Sequence, residues 1–405
     1  MYDAIVVGAR CAGAPTAMLL ARRGRRVLLV DRSTFPSDTV SGHAIQPAGV
    51  ARLARWGLLD RLIATGVPAV RTMSFDFGPV RLEGTPPPVA GVSEMYVPRR
   101  TILDSLLVDA AGEAGVEVRE GFTAQELMVE DGRIVGLRGG DRDGRSVEAR
   151  ASVVIGADGA HSFVARAVAA PAYNVRPAET VAAYGYYRGV DVTGGELYVR
   201  PNRFFVAVPT HDDLVIVAQT ISLCDAPDYR DDIERAFAAT LALAPALAER
   251  VAAGERAERF RFSRDTDNFF RTSHGPGWAL VGDAGYHKDP ITAQGMLDAF
   301  RDSELLAAAV DEGIEAASNT GLDAALANYQ RTRDAAVAAI YDFTCQLARV
   351  GEPPPPEMLE LIAALPGNQP EVDRFFGIMA GSVTLDDFLS PQNVGRILHG
   401  AAAAA

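Results

Sequence analysis

The sequence predicts an α/β protein with three parts: a nucleotide-binding unit, a second domain on antiparallel sheet, and a C-terminal helical segment. Three observations predict it. A glycine-containing turn lies between an apolar run and a helical pattern near the start of the chain. Aromatic, alternating runs occupy residues 180–222. A long stretch poor in helix breakers, 322–350, ends at four consecutive prolines, Pro353 to Pro356. The 405 residues are enough for two to three domains.

Taken in order, Tyr2 to Val7 is a short apolar run and reads as a buried strand. Pro15 to Arg23 has helical periodicity and stops at Gly24, and Val27 to Val30 is a second apolar strand that ends at Asp31. Strand, turn, helix and strand in about thirty residues is the size of a nucleotide-binding βαβ unit. Pro47 to Leu62 reads as one helix, with proline suited to the first turn. Met73 to Pro98 carries short alternating runs, Pro86-Pro87-Pro88 and several glycines, and reads as strands and loops of another layer.

Arg100 to Ala114 repeats apolar residues at Leu103, Leu106, Leu107 and Ala111 and closes at Gly115, as a helix does. Strands follow at Val116–Val118, Gln125–Glu130 and Arg133–Arg138, the last two joined by the Asp131-Gly132 turn. Val153 to Ile155 is another buried strand. Alternation then predicts an antiparallel sheet from Val181–Val190, Glu196–Arg200, Phe204–Pro209 and Leu214–Ile221. A helical pair covers Asp231 to Ala253, a short strand Ala279 to Val281, and helices Gly295 to Val310 and Leu322 to Val350. Short helical pieces run on to Leu398, and the terminal alanines read as a frayed end.

Composition narrows the partners. Thirty-nine basic against 52 acidic residues leave a net charge of −13, with no concentrated basic face, so nucleic acid is not an expected partner. Cys11, Cys224 and Cys345 are too few and too scattered for a zinc site or a disulfide framework, which fits a reducing compartment. No metal site is expected. No apolar run approaches the ~20 residues of a membrane span. With no leader pattern before the first strand, the expected location is cytoplasmic.

The candidate chemistry lies in turns. Gly8-Ala9-Arg10-Cys11-Ala12-Gly13 stands where backbone amides at a helix N-terminus receive a pyrophosphate, although Arg10 replaces the second glycine. Asp31 follows at the distance of an acid that meets a ribose hydroxyl. Two further strands run into turns: Val153-Val154-Ile155-Gly156-Ala157-Asp158-Gly159, and Trp278-Ala279-Leu280-Val281-Gly282-Asp283. Pro290 comes next, then Ala293-Gln294-Gly295-Met296 opening a helix.

With these three ordered motifs, residues 1 to about 310 resemble the FAD-dependent monooxygenases of the p-hydroxybenzoate hydroxylase type, in the glutathione-reductase-like flavoprotein superfamily. The resemblance implies a Rossmann-like FAD-binding domain formed by 1–72, 97–165 and 276–315. It implies a substrate domain at 73–96 and 166–275, and leaves 316–405 as the C-terminal helical segment. By the same resemblance, Gly8, Ala12 and Gly13 hold the FAD pyrophosphate, and Asp31, with Arg32 beside it, the adenosine ribose. Arg100, heading an Arg-x-x-Leu-Asp helix start, lies near the phosphates, a role open also to Arg99. Asp158 serves FAD and NAD(P)H handling. Gly282 and Asp283 hold the ribityl chain, and Pro290, Gln294, Gly295 and Met296 border the isoalloxazine. Gln46 belongs to Ser41–Gly49, the segment that passes the ring. The usual Asp-Ala-Ala-His reads Asp283-Ala284-Gly285-Tyr286, Ala293 replaces a glycine, and Leu297 stands where an asparagine is common.

The implied reaction is that of a single-component monooxygenase, a hydroxylase or epoxidase. NAD(P)H reduces bound FAD, O₂ adds to give a flavin C4a-hydroperoxide, and oxygen passes to a small apolar, aromatic or polyketide-like metabolite. No second glycine-rich nucleotide turn is present, as expected when NAD(P)H has no domain of its own. Catalytic candidates are His43, His287 and Lys288, the chain's only lysine. A histidine suits proton removal from a phenol, and a lysine suits an anionic flavin or substrate. A solvated loop is the plain alternative for His43, His287 and Lys288. Tyr184 and Tyr186, on one face of a strand by period-two alternation, and Phe205 are the substrate-binding candidates, with core packing as their alternative.

Two flavoenzyme classes and one non-enzymatic class compete. A geranylgeranyl-reductase-like flavin reductase shares the motifs loosely. A flavin-dependent halogenase is disfavoured because its Trp-x-Trp-x-Ile-Pro signature is missing, the two tryptophans being Trp56 and Trp278. A non-catalytic flavin-binding redox sensor would carry the cofactor without substrate-dependent turnover. The long helix from Leu322 reads as a packing element or a subunit contact, the latter giving a homodimer.

Overall fold

The computed structural model describes residues 1–41, 43–263 and 266–404. In chain order its principal elements begin with β1 (Tyr2–Val7), α1 (Gly13–Ala21), β2 (Val27–Asp31), α2 (Pro47–Arg55), β3 (Met73–Asp76) and β4 (Arg81–Gly84). Next come α3 (Arg100–Glu113), β5 (Glu117–Glu120), β6 (Thr123–Glu130), β7 (Arg133–Gly140) and β8 (Ser146–Gly156). The second sheet supplies β9 (Thr180–Arg188), β10 (Gly195–Arg200), β11 (Arg203–Pro209) and β12 (Leu214–Ser222). β13 (Trp278–Leu280), α4 (Gly295–Glu315) and α5 (Asn319–Leu347) precede four further helices.

β1 and β2 are apolar throughout their inner residues because a parallel sheet is covered on both faces. The parallel strands lie in the order β13-β8-β1-β2-β5. One face, with Ala4, Val6 and Leu29, packs on Met18, Leu107 and Phe300 of α1, α3 and α4. The other, with Ile5, Leu28 and Val30, packs with Phe122 and Leu137.

Two elements differ from expectation. The helix expected from Pro47 to Leu62 is two, Pro47–Arg55 and Leu59–Ile63, because Gly57 between them takes a left-handed φ of 74°. The strand expected at Val153–Ile155 is only the buried end of β8. Its first half pairs antiparallel with β7 through Glu148 and Arg150, whose exposed side chains leave no apolar run to read. The terminal alanines, expected to fray, continue a helix from Pro391 to Ala404, and Ala405 lies outside the described residues.

The second sheet has β9-β12-β11-β10-β3-β4 as its spine, antiparallel except where β10 meets β3. Period-two alternation divides its side chains between two faces. Ala183, Tyr187, Phe205 and Ala207 face a core closed by Phe237, Leu241 and Leu247 of the helices after β12. Tyr184, Tyr186, Val208 and Ile216 face the other way, toward Ala44. Further along that second face, Phe75, Leu197 and Phe204 pack with Phe376, Ile378 and Phe388 of the C-terminal helices. A small third sheet joins Ala172–Arg176, Asn268–Arg271 and Tyr286–His287. Among the described residues, no helix is long and apolar enough to cross a membrane.

Candidate flavin site

The three turns meet at the C-terminal ends of β1, β8 and β13, the edge of a parallel sheet where ligands bind. Gly8 has φ 102°, and a Cβ there would stand 2.5 Å from the Ala157 carbonyl oxygen. A Cβ on Gly13 would stand 1.7 Å from the Gly8 carbonyl oxygen, so the first turn of α1 lies directly on the loop. Gly282 has φ 60°, and its Cβ would meet that of Ala12 at 2.7 Å. The Ser303 hydroxyl of α4 donates to the Ala12 carbonyl at 2.9 Å. Glycine at 8, 13 and 282 therefore lets three backbone segments touch.

The acids take distinct settings around this contact. Asp31 accepts from the Ala9 and Ser33 amides, each at 2.7 Å, which ties β2 to the loop. Asp158 accepts from the Phe163 amide at 2.6 Å, while its Oδ1 is buried without a partner. Burial raises its pKa. Asp283 is half exposed, in a short 3₁₀ turn, 3.6 Å from the His287 Nδ1. Arg32 is exposed beside Asp31.

Arg10, the residue that breaks the glycine pattern, reaches buried Asp104 and donates to the Ser37 hydroxyl at 2.9 Å. Arg100 clasps the same carboxylate through Nε at 3.1 Å and Nη2 at 3.0 Å. Burial works against the Arg100 charge, but Cys11, Asp104 and Asp283 hold its pKa above the ordinary arginine value. Of the two adjacent arginines, Arg100 shares the Asp104 carboxylate with Arg10 of the glycine loop. Arg99 turns to the second sheet, with its guanidinium 4.2 Å from the centre of the Tyr186 ring and an ion pair to Glu258 at 2.6 Å.

The segment 43–49, of which Gly42 just ahead lies outside the described residues, packs on α4. A Cβ on Gly49 would meet the Leu297 Cα at 3.6 Å. Gln46 is buried and precedes α2 as its cap residue. Buried Asp289 sets the turn leading to α4, accepting from the Ile291 amide at 2.9 Å and the Thr180 hydroxyl at 2.5 Å. Pro290 and Gly295 are exposed and Met296 is buried, while Gln294 directs its side-chain amide to C-terminal carbonyls.

His43 is buried at φ 62°, with Nδ1 against the Ser41 carbonyl and Nε2 2.6 Å from the Tyr186 hydroxyl. A carbonyl only accepts, so Nδ1 carries the hydrogen and Nε2 accepts from Tyr186. Burial and the Arg100 charge push the His43 pKa down to about 4. Tyr184 and Tyr186 meet edge to face at 5.8 Å beside it. Phe205 is not brought to this group. It stacks on Tyr198 at 5.1 Å on the opposite face of the sheet.

His287 lies in a strand, paired with Phe269, rather than in a solvated loop. Lys288 is buried and ion-paired with Asp298, which also binds Arg301 at 2.8 Å. Despite burial, these two cations hold the Asp298 pKa below its usual value. Neither a free cation nor a solvated loop describes Lys288. The hub at Asp104 and the His43–Tyr186 bond were missed in the sequence; only the aspartate of the Arg-x-x-Leu-Asp pattern signalled the first.

The residues present fit FAD. The glycine loop leaves no room for side chains, Asp158 keeps an unsatisfied acceptor, and Asp283 stands exposed at the third turn. Gly13→Ala is expected to weaken FAD binding at least about tenfold, read by quenching of flavin fluorescence, because the loop must leave α1. The His43 titration carries a stability signature. Its folded pKa lies below 6.5, so its contribution is complete above pH 6.5 and is lost as pH falls toward 4. Urea unfolding at stepped pH should show the wild type losing about 3 kcal/mol more than His43→Gln over that window.

The chain is similar to known proteins along most of its length. The family model described as FAD binding domain matches residues 1–344. The chain is 34% identical over 166 residues to digeranylgeranylglycerophospholipid reductase of Methanocella arvoryzae, a match spanning only 41% of either protein. Against the enzyme of that name from Methanothrix thermoacetophila it is 27% identical over 340 residues, 82% of this chain and 83% of the relative. A tryptophan 2-halogenase of Chondromyces crocatus is 24% identical over 98% of this chain and 78% of its own. In structure, the myxobacterial chondrochloren halogenase CndH aligns with TM-score 0.78 and 24% identity over 99% of this chain and 96% of its own. PqsL of P. aeruginosa, solved with 2-aminobenzoylacetate, aligns with TM-score 0.72 and 24% identity over 86% and 95%. These structural likenesses establish the fold. The chain belongs to the FAD binding domain family.

Proposed function

We propose that this protein is a single-component monooxygenase that uses NAD(P)H and O₂ to hydroxylate or epoxidise a small apolar, ring-bearing metabolite. The observation that carries the reading is the aromatic face of β9 beside the flavin-bordering segment, where Tyr186 hydrogen-bonds to a neutral His43. FAD, when bound, supplies the two-electron chemistry and the reaction with O₂.

The chain's own residues supply binding and order. Gly8, Ala12 and Gly13 offer amides to the pyrophosphate, Asp31 and Arg32 flank the ribose, and Asp158, Gly282 and Asp283 continue along the cofactor. Arg100 reaches the phosphates from its Asp104 clasp. Gln46, Pro290, Gly295 and Met296 border the ring. The division into an FAD-binding part, a substrate part at 73–96 and 166–275, and a C-terminal part belongs to the same proposal.

His43, with a pKa of about 4, is a weak proton acceptor, and its effect is to orient Tyr186. The Tyr186 O–H donates to Nε2, so the lone pairs of its oxygen are left to accept from a substrate hydroxyl. Burial raises the Tyr186 pKa, which keeps it neutral in that role. Lys288, tied to Asp298, acts by holding the Tyr286–Pro290 turn against α4. His287, beside Asp283, is the remaining histidine that can reach the third turn.

A second reading, reduction of a prenyl chain, is favoured by the reductase that matches over four fifths of both proteins. One experiment separates the classes. The purified yellow protein is given NADH or NADPH with aromatic, polyketide-like and prenyl compounds, under ¹⁸O₂ and with or without bromide. We expect a compound that accelerates NAD(P)H oxidation and leaves with one labelled oxygen. A saturated product formed without O₂ would replace this reading with the reductase, a brominated one with the halogenase. No substrate-dependent turnover would leave a flavin sensor.

A further inference from the structure

The segment 345–404 lies beyond the residues matched by the family model, yet it touches Gln294, Ala48 and Leu297 beside the flavin turns. Gln294, which caps α4 and is buried, sends its side-chain Nε2 to two successive carbonyls of the helix Gln369–Ala380. The distances are 3.3 Å to Ile378 and 3.2 Å to Met379. The amide group thereby joins the Gly381 N–H, which donates to the Ile378 carbonyl at 3.4 Å, in closing the last turn of that helix.

At the helix stop, Gly381 has φ 77°, and a Cβ there would stand 3.0 Å from that of Ala48 and 3.3 Å from Leu297 Cδ2. Ala48 belongs to the segment passing the ring, and Leu297 to the first turn of α4. At the other end, a Cβ on Gly84 would stand 2.6 Å from the Asp373 carboxylate and 2.9 Å from Phe376. Phe376 and Ile378 share one apolar core with Ile291 of the turn before α4 and with Phe204 of the second sheet. Phe204 lies on the same sheet face as Tyr184 and Tyr186, further along.

We infer that Gln294 is a positioning residue that fastens the helix Gln369–Ala380 to the opening of α4. The C-terminal segment is then a fixed wall bounding the aromatic face, and it sets the size of the apolar substrate that fits there. The wall rests on the flavin-site reading above, but it makes no demand on which reaction follows.

Gln294→Leu keeps the bulk and removes both donors. In the FAD-loaded protein, amides of 369–383 should exchange with deuterium about tenfold faster, while those of β1, α1 and β2 are unchanged. For any compound turned over, KM should rise more than kcat falls. Gln294→Met, which keeps an unbranched side chain of similar length without the donors, should loosen the same amides, and it keeps the test alive if the first variant does not fold. Unchanged exchange at 369–383 in the folded variants would overturn the inference. So would a large loss of FAD affinity from Gln294→Leu with that exchange intact, which would make Gln294 a cofactor ligand instead. Because exchange needs no substrate, failure of the monooxygenase reading alone would leave this result standing.

Discussion

The site depends on backbone meeting backbone. Three chain segments leave the same edge of a parallel sheet and come so close that a single methyl group at Gly8, Gly13 or Gly282 would collide with a neighbour. This contact sets the glycine loop against the first turn of α1, where the Ala14 amide donates to the Arg10 carbonyl at 3.0 Å, with Asp31, Asp158 and Asp283 at the ends of the same strands. A helix N-terminus with bare amides favours an anion, and the acids favour the hydroxyls on either side of it. One extended molecule with a pyrophosphate at its middle satisfies both preferences.

Around this contact the protein buries charge, and it does so in pairs. Asp104 is fully buried and is held by Arg10, Arg100 and the Cys11 thiol. The glycine expected at position 10 is an arginine because α3 carries an acid that can receive it. Lys288, Asp298, Arg301 and Asp302 form a second buried chain behind the turn that leads to α4. Breaking one partner of such a pair leaves an unpaired charge in the interior, which costs far more than an exposed pair contributes. Both networks tie a helix near its start to a neighbouring segment, α3 to Arg10 of the glycine loop and α4 to Lys288. His43 is the opposite case, a buried group kept neutral, which lets it order a hydroxyl without bringing a charge into the site.

Much of this was legible in the sequence where the signal is local. β1, β2 and the buried end of β8 are apolar runs, and the three turns carry glycine and aspartate at the positions where backbone geometry requires them. Tyr184 and Tyr186 share a face because strand alternation is itself local. Phe205 was grouped with them, yet its face follows from the register of β11 against β12, which alternation within one strand does not give. The Arg10–Asp104 pair spans 94 positions and the His43–Tyr186 bond 143, so neither leaves a spacing to read. The C-terminal helices read only as short helical pieces, and what they cover is decided by tertiary contact with Gln294, Ala48 and Phe204.

The central claim is that the turns grip a whole dinucleotide, adenosine end included. Titration of the cofactor-free protein with FAD and, separately, with FMN tests it most directly, because FMN carries the same ring and ribityl phosphate without the adenosine. The account predicts saturable one-to-one binding of FAD, with FMN weaker by at least about a hundredfold. Equal affinity for the two, or binding of neither, would contradict it.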